Sequence, residues 1–236
     1  NVRVIFQNPD DLELFLSENL VNPHTYRMIK GCGVSMDDFL PSPEPDGDPV
    51  VLFPARIIGD KGVREFVEAA RILKDKGVKA HFRLVGRTDP DNPTNIGEAT
   101  VREWHANGMV EWRGFSTDMA AEFAQCHIVC MPSYREGLPR VLIEAAASGR
   151  AIVTSDVPGC REIVRDGDTG ILVPVRDGPA TADALRTLIE DDDLRRAMGG
   201  AGRKLAADNF SVTDFVAKSI GVYGQIMKPR KIAGAK

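Results

Sequence analysis

Hydrophobic and polar positions recur along most of this chain in one order. A short continuous apolar run comes first, then a polar loop, then apolar residues three and four apart. The run PVVLFPA (49–55) follows the polar loop PSPEPDGD and predicts a buried strand. Val63, Phe66, Val67, Ala70 and Leu73 follow at helical spacing. KAHFRLVG (79–86) predicts the next strand, and the polar loop RTDPDNPTN leads to a helix near 96–107. MVEWRG (109–114) predicts a strand, with Ser116 as the N-cap of a helix running to about Gln125. HIVCMPS (127–133) is apolar throughout, as strands buried on both faces of a parallel sheet are. A helix from Pro139 to about Ala147, a strand AIVTS (151–155), a short helix near 160–165 and a strand ILVPV (171–175) complete the series. Helices at about 179–190 and 192–207 follow, with GGAGRK (199–204) read as a break between helical segments.

Six strands alternating with helices predict a doubly wound α/β sheet, in which ligands bind beyond the carboxyl ends of the strands. The loops at 55–62, 86–95, 113–116 and 133–138 are therefore the ones to search. The two ends of the chain differ from this core. VRVIFQN predicts a strand, Asn8 caps a helix with Pro9 at its first position, and RMIKGCG predicts another strand. This βαβ piece (1–40) reads as the tail end of a preceding domain, joined by a linker at 41–48 to the main domain at 49–210. Val212, Phe215, Val216, Ile220 and Tyr223 mark a last amphipathic helix within 211–236, expected to pack toward that preceding domain. Its KPRK tail reads as a solvated charge run.

Composition narrows the function. With 236 residues, the chain is long enough for one large domain, or one domain and part of another. A net charge of −4 lacks the basic excess that a nucleic-acid binder carries. No apolar run reaches the roughly 18 residues that a membrane helix needs. NVRVIFQNPDD lacks the basic start and apolar stretch of a signal peptide, and the chain does not open with Met. The expected compartment is the cytoplasm. Cys32, Cys126, Cys130 and Cys160 form no CxxC and pair with no His at zinc spacing. Cys126 and Cys130 sit in an apolar stretch, as buried thiols do. His24, His81, His105 and His127 are scattered and read as structural.

The strongest chemical signal is SYREGLPRVLIEAAASG (133–149). A strand ends, a loop carries Glu136, and Pro139 suits the first position of a helix. The open backbone N–H groups and positive dipole end then make an anion site fit for phosphate. Glu144 stands in so apolar a helix that its carboxylate must face solvent or meet a partner. It lies five residues beyond Pro139, about 7–8 Å along the axis, roughly the distance from a terminal phosphate to a nucleotide's ribose. A carboxylate accepting ribose hydroxyls is a known device. The second signal is ARIIGDKG (55–62), where Arg56 offers a bidentate clamp and Lys61 a point charge for a diphosphate; taken alone, they also read as two solvated loop cations. No GxGxxG or GxxxxGK[ST] is present. Asp89-Pro-Asp91 reads as turn chemistry rather than a metal site.

Taken together, EGLPRVLIE (an E-x7-E element), ARIIGDKG, the FRLVG strand end, VEWRGF and DVPGCREIVRDGDTGILVP resemble the donor-binding half of retaining glycosyltransferases of family 4. The similarity covers about residues 1–225 and is nearest to bacterial capsule, exopolysaccharide and O-antigen transferases. It implies a GT-B fold, of which this chain would hold one Rossmann-like half with a βαβ remnant of the other. It implies a nucleotide diphosphate sugar, foremost a UDP-sugar, as donor, and a glycan or lipid-linked acceptor. Arg56 and Lys61 would hold the diphosphate, Glu136 the sugar hydroxyls and Glu144 the ribose. Amides near Gly137, Leu138, Arg140 and Val141 would face the phosphates, and Phe115 and Arg87 would border the base. Many relatives carry Gly where this chain has Pro139, which has no N–H to donate. No metal or other cofactor is expected, because Arg56, Lys61 and the helix start supply the positive charge. A peripheral contact of the full-length enzyme with the inner face of the membrane fits a lipid-linked acceptor. The alternatives are a sugar-nucleotide epimerase of the same architecture and a non-catalytic nucleotide-sugar binding module.

Overall fold

The computed structural model describes residues 3–227, so the KPRK tail at 228–231 lies outside the described residues. The chain begins with β1 (Val4–Phe6), α1 (Pro9–Ser17) and β2 (Tyr26–Met28), and β1 and β2 pair in parallel. Asn8 caps α1, its side chain accepting from the Asp11 amide, with Pro9 in the first turn as expected. The second strand is shorter than RMIKGCG, because Gly31 and Gly33 take positive φ and turn the chain away.

The main body then runs β3 (Val50–Pro54), α2 (Val63–Asp75), β4 (His81–Val85), α3 (Glu98–Ala106), β5 (Glu111–Trp112), α4 (Met119–Ala124) and β6 (Ile128–Met131). It continues with α5 (Arg140–Ala147), β7 (Ala151–Ser155), α6 (Pro158–Arg161), β8 (Gly170–Val173), α7 (Gly178–Glu190) and α8 (Asp192–Asn209), and ends in α9 (Val212–Ile226). The six main strands pair in the order β5-β4-β3-β6-β7-β8, all parallel, which is the doubly wound order with its reversal between β3 and β6. Strands β3, β6 and β7 are buried along their whole length, as their unbroken apolar runs require. Phe66 of α2 packs between Phe53 of β3 and Phe82 of β4, with ring centroids 5.4 and 5.6 Å away.

Four details differ from expectation. Asp118, not Ser116, caps α4, because the Asp carboxylate reaches the Ala121 amide while Ser116 closes a local turn with Asp118. Pro139 takes extended backbone angles and occupies the cap position, so Arg140 is the first helical residue. The short helix α6 begins earlier than expected and spans one turn. Finally, α8 runs unbroken through GGAGRK. Its glycines serve packing: a Cβ at Gly199 would lie 2.2 Å from the Gly149 carbonyl oxygen.

The linker and the residues just before it are strapped to the main body by three arginines. Arg150 is buried and donates to the Ser42 carbonyl (3.0 Å) and to Phe123 O (2.8 Å). Arg195 grips Glu44 through two 2.8 Å hydrogen bonds. Burial alone would raise the Glu44 pKa, but the Arg195 bonds outweigh it and hold the carboxyl below its ordinary value. Arg203 donates to the Phe39 and Met36 carbonyls at 2.7 and 3.2 Å. Cys126, Cys130 and Cys160 are buried and Cys32 is exposed; burial pushes the Cys126 thiol up to about 12. His127 is structural, its Nδ1 accepting from the Val50 amide at 3.0 Å.

Candidate functional site

The reversal of strand order leaves a crevice beyond the carboxyl ends of β3 and β6, bordered by the loops 55–62 and 132–139. These two loops lock together. The first contains a 3-10 turn, Gly59–Lys61, and the Asp60 carbonyl at its centre lies 2.9 Å from Ser133 Oγ and accepts from the Tyr134 amide at 2.8 Å. Gly62 ends the turn at φ +76°, and a Cβ there would lie 2.0 Å from the Pro132 carbonyl oxygen. That close approach brings Lys61 to the second loop.

Lys61 Nζ lies 2.5 Å from Glu136 Oε1, and the two side chains are only 22% and 9% exposed. Ser133 Oγ sits 2.7 Å from the same carboxylate oxygen. Arg56 takes a different partner: its side chain is 53% exposed and its guanidinium lies 2.7 Å from Asp89 Oδ2. The two cations therefore border one crevice but engage separate acids. Asp89 belongs to the turn expected for that loop, with its carbonyl accepting from the Asn92 amide at 3.0 Å. Arg56 and Arg87 also line a cavity of about 240 Å³ with Phe115, Met119 and Val141. The Arg87 guanidinium stands 5.4 Å from the Phe115 ring centroid, so a cation and an aromatic face flank this cavity. A second cavity of about 410 Å³ shares Arg56 and Arg87 and reaches Asp89. Another of about 360 Å³, between Lys74, His81, His105 and Glu111, opens at the opposite end of the sheet and borders none of these residues.

The start of α5 closes the remaining side. The first N–H groups to enter its ladder are those of Leu142 and Ile143, both donating to the Pro139 carbonyl. The amides of Arg140 and Val141 precede that ladder and add to the positive end of the helix. Gly137 and Leu138 lie in the approach to this end, and Asn8 Nδ2 donates to the Gly137 carbonyl at 2.8 Å, so the small β1–β2 piece pins the loop. Glu144 is 8% exposed and meets Arg140 Nε at 2.7 Å. Burial raises its pKa, and the Arg140 contact offsets only part of that rise.

Several residues at this edge were not singled out from the sequence. Ser133 and Tyr134 stand just ahead of the E-x7-E element, yet their partners come from the other loop and from α2. The Tyr134 hydroxyl donates to Glu65 Oε1 at 2.7 Å, and burial with that bond pushes its pKa up to about 12. The Arg176 guanidinium lies 4.8 Å from the Tyr134 ring centroid. The available signal was an aromatic and a hydroxyl beside a loop already marked for anions. Among the described residues, no group of three or more His, Cys, Asp or Glu is placed to hold a metal ion.

Comparison with known proteins shows the family of the chain. Residues 37–205 match the family "Glycosyl transferases group 1". The N,N'-diacetylbacillosaminyl-diphospho-undecaprenol alpha-1,3-N-acetylgalactosaminyltransferase of Campylobacter jejuni is 32% identical over 81% of this chain and 52% of its own length. The capsular polysaccharide biosynthesis glycosyltransferase CapM of Staphylococcus aureus is 30% identical over 69% of this chain and 42% of its own. Sucrose-phosphate synthase from Thermosynechococcus elongatus superposes with a TM-score of 0.82 at 27% identity, over 94% of this chain and 58% of that one. The chain thus spans about half the length of the curated relatives it matches.

Proposed function

The chain belongs to the group 1 glycosyl transferases, and from that premise we propose that it is the donor-binding half of an enzyme that moves a sugar from a nucleotide diphosphate to a growing glycan or lipid-linked acceptor. The carrying observation is the placement of Lys61, Glu136 and the open start of α5 around one crevice at the strand reversal. In the reaction, the bond from the anomeric carbon to the diphosphate oxygen breaks and its electron pair leaves with the diphosphate. The acceptor oxygen forms the new bond, and its proton passes to the departing diphosphate. Negative charge grows on the leaving oxygens, and fixed positive groups there lower the barrier. In this reading Lys61 and the Arg140 and Val141 amides do this. Arg56 adds charge from the rim on exchanging Asp89 for phosphate. No metal is required in this reading, since protein groups supply the positive charge.

The base lies in the cavity between Arg87, Phe115 and Val141, and Glu144 accepts the ribose hydroxyls. Glu136 takes the sugar hydroxyls, and the product retains the donor's anomeric configuration. UDP is the proposed nucleotide. The lipid-linked acceptor named for the Campylobacter relative supports an acceptor of that class, met at the inner face of the membrane. No helix among the described residues is long and apolar enough to cross a membrane.

Calorimetry with UDP, GDP and ADP, each free and as a sugar conjugate, tests the donor site. UDP should bind, and Lys61→Ala should weaken it by about tenfold to a hundredfold, the worth of a charged hydrogen bond to phosphate. Wild-type binding that Lys61→Ala leaves unchanged would remove Lys61 from the site.

A further inference from the structure

Lys61 is the group best placed to neutralise a diphosphate, yet its charge is already taken. Its ammonium lies 2.5 Å from Glu136 Oε1, and both side chains are largely buried. Glu136 is itself held: Ser133 Oγ lies 2.7 Å from the same oxygen, and Ser133 also meets the Asp60 carbonyl beside Lys61. The carboxylate is thus a fixed anion occupying the place where phosphate charge is wanted. The other cations of the crevice do not compensate it. Arg56 pairs with Asp89, and Arg140 with Glu144.

From this arrangement, and resting on the donor-site reading above, we propose that Glu136 is an internal competitor of the donor diphosphate, and that donor binding proceeds by partner exchange at Lys61. The incoming phosphate oxygens take the Lys61 ammonium, and the freed Glu136 carboxylate turns to the hydroxyls of the donor sugar, keeping Ser133 as its anchor. A free nucleoside diphosphate displaces Glu136 without giving it a new partner. A sugar conjugate displaces it and supplies hydroxyls for it to accept. The site therefore discriminates donor from spent nucleotide by more than the contacts of the sugar alone, because the sugar restores what the phosphate took away. Breaking a largely buried ion pair by removing one partner leaves the other charge uncompensated, and this gives the exchange a measurable weight.

The test is a cycle of four proteins, wild type, Glu136→Gln, Lys61→Met and the double variant, each titrated with inorganic pyrophosphate, UDP and UDP-sugars. Thermal unfolding of each checks the fold, and Glu136→Ala replaces Glu136→Gln if the amide variant unfolds. The expected result is tighter pyrophosphate and UDP binding by Glu136→Gln, by about tenfold, the worth of one charged hydrogen bond released from Lys61. UDP-sugar should not share that gain. In the Lys61→Met background the gain should vanish, because no ammonium remains to be released. Persistence of the gain without Lys61 would mean plain repulsion between carboxylate and phosphate, and would overturn the exchange. Unchanged or weaker UDP binding by Glu136→Gln would overturn it too, while leaving the donor site standing if wild type binds and Lys61→Met does not. Absence of any nucleotide binding by wild type would instead overturn the donor site and the exchange with it.

Discussion

Glu144 shows how one carboxylate is tuned by its surroundings. It sits in an apolar helix at 8% exposure with Arg140 as its partner, and burial raises its pKa above the ordinary value of 4.5. If it accepts ribose hydroxyls when ionised, that contribution is lost as pH falls through the raised value. The free protein gains stability over the same interval, because burial favours the protonated form. Glu144→Gln should weaken UDP about tenfold near neutrality. The gap between the two proteins should close on acidification, starting above pH 4.5; calorimetry across pH reads both. A gap that stays constant would remove the ribose role. The charged residues of the candidate site stood out in the sequence because they lie in loops after strands and at a helix start. Ser133 did not, because its partner, Asp60, stands 73 residues away and only the folded loops bring the two together. Nor did the sequence show that Arg56 and Lys61 would each be engaged by an acid, since side-chain pairing across loops depends on how closely the loops approach.

At the scale of elements, the strand–helix alternation was legible because each buried strand is a continuous apolar run and each helix repeats at three and four. Boundaries were less so. The helix start near Ser116 failed because two capping residues compete there, and the Asp carboxylate at position 118 reaches the amide that matters. The glycines of α8 misled for a different reason: they lower helix propensity, but tertiary packing overrides it. A pair of substitutions separates these effects. A Cβ added at Gly200 would meet nothing within 4 Å, so Gly200→Ala should stabilise by about 0.5–1 kcal/mol. Gly199→Ala gains the same propensity but drives a methyl against Gly149, and should destabilise by about 1–3 kcal/mol. Denaturant melts of both variants decide it, and equal shifts of the same sign would mean that the close approach to Gly149 is not felt.

The whole molecule presents a candidate crevice that is local to the main sheet and, among the described residues, apolar side chains exposed at both ends of the chain. Leu14, Phe15 and Leu20 are exposed at one end of the chain, and Val216, Ile220 and Tyr223 along α9 at the other. Such apolar positions left open to water favour association. The chain by itself should therefore bind UDP-sugar, show negligible transfer, and self-associate in a concentration-dependent way. Calorimetry, a transfer assay and sedimentation on one preparation test the three together, and efficient transfer would mean that the acceptor is held by residues already present. The linker expected at 41–48 is held down by Arg150 and Arg195, and Arg203 holds the residues just before it, while the chain changes direction earlier, at Gly31 and Gly33. There Val34 pairs in parallel with Ser211, exchanging bonds with Phe210 (2.8 Å) and Val212 (3.1 Å). The two backbone passages, one leaving the small sheet and one entering α9, thus run side by side through one stitched point. Neither passage can move away from the other there without breaking those two hydrogen bonds, so a shift of α9 at its start is felt where the chain leaves the small sheet.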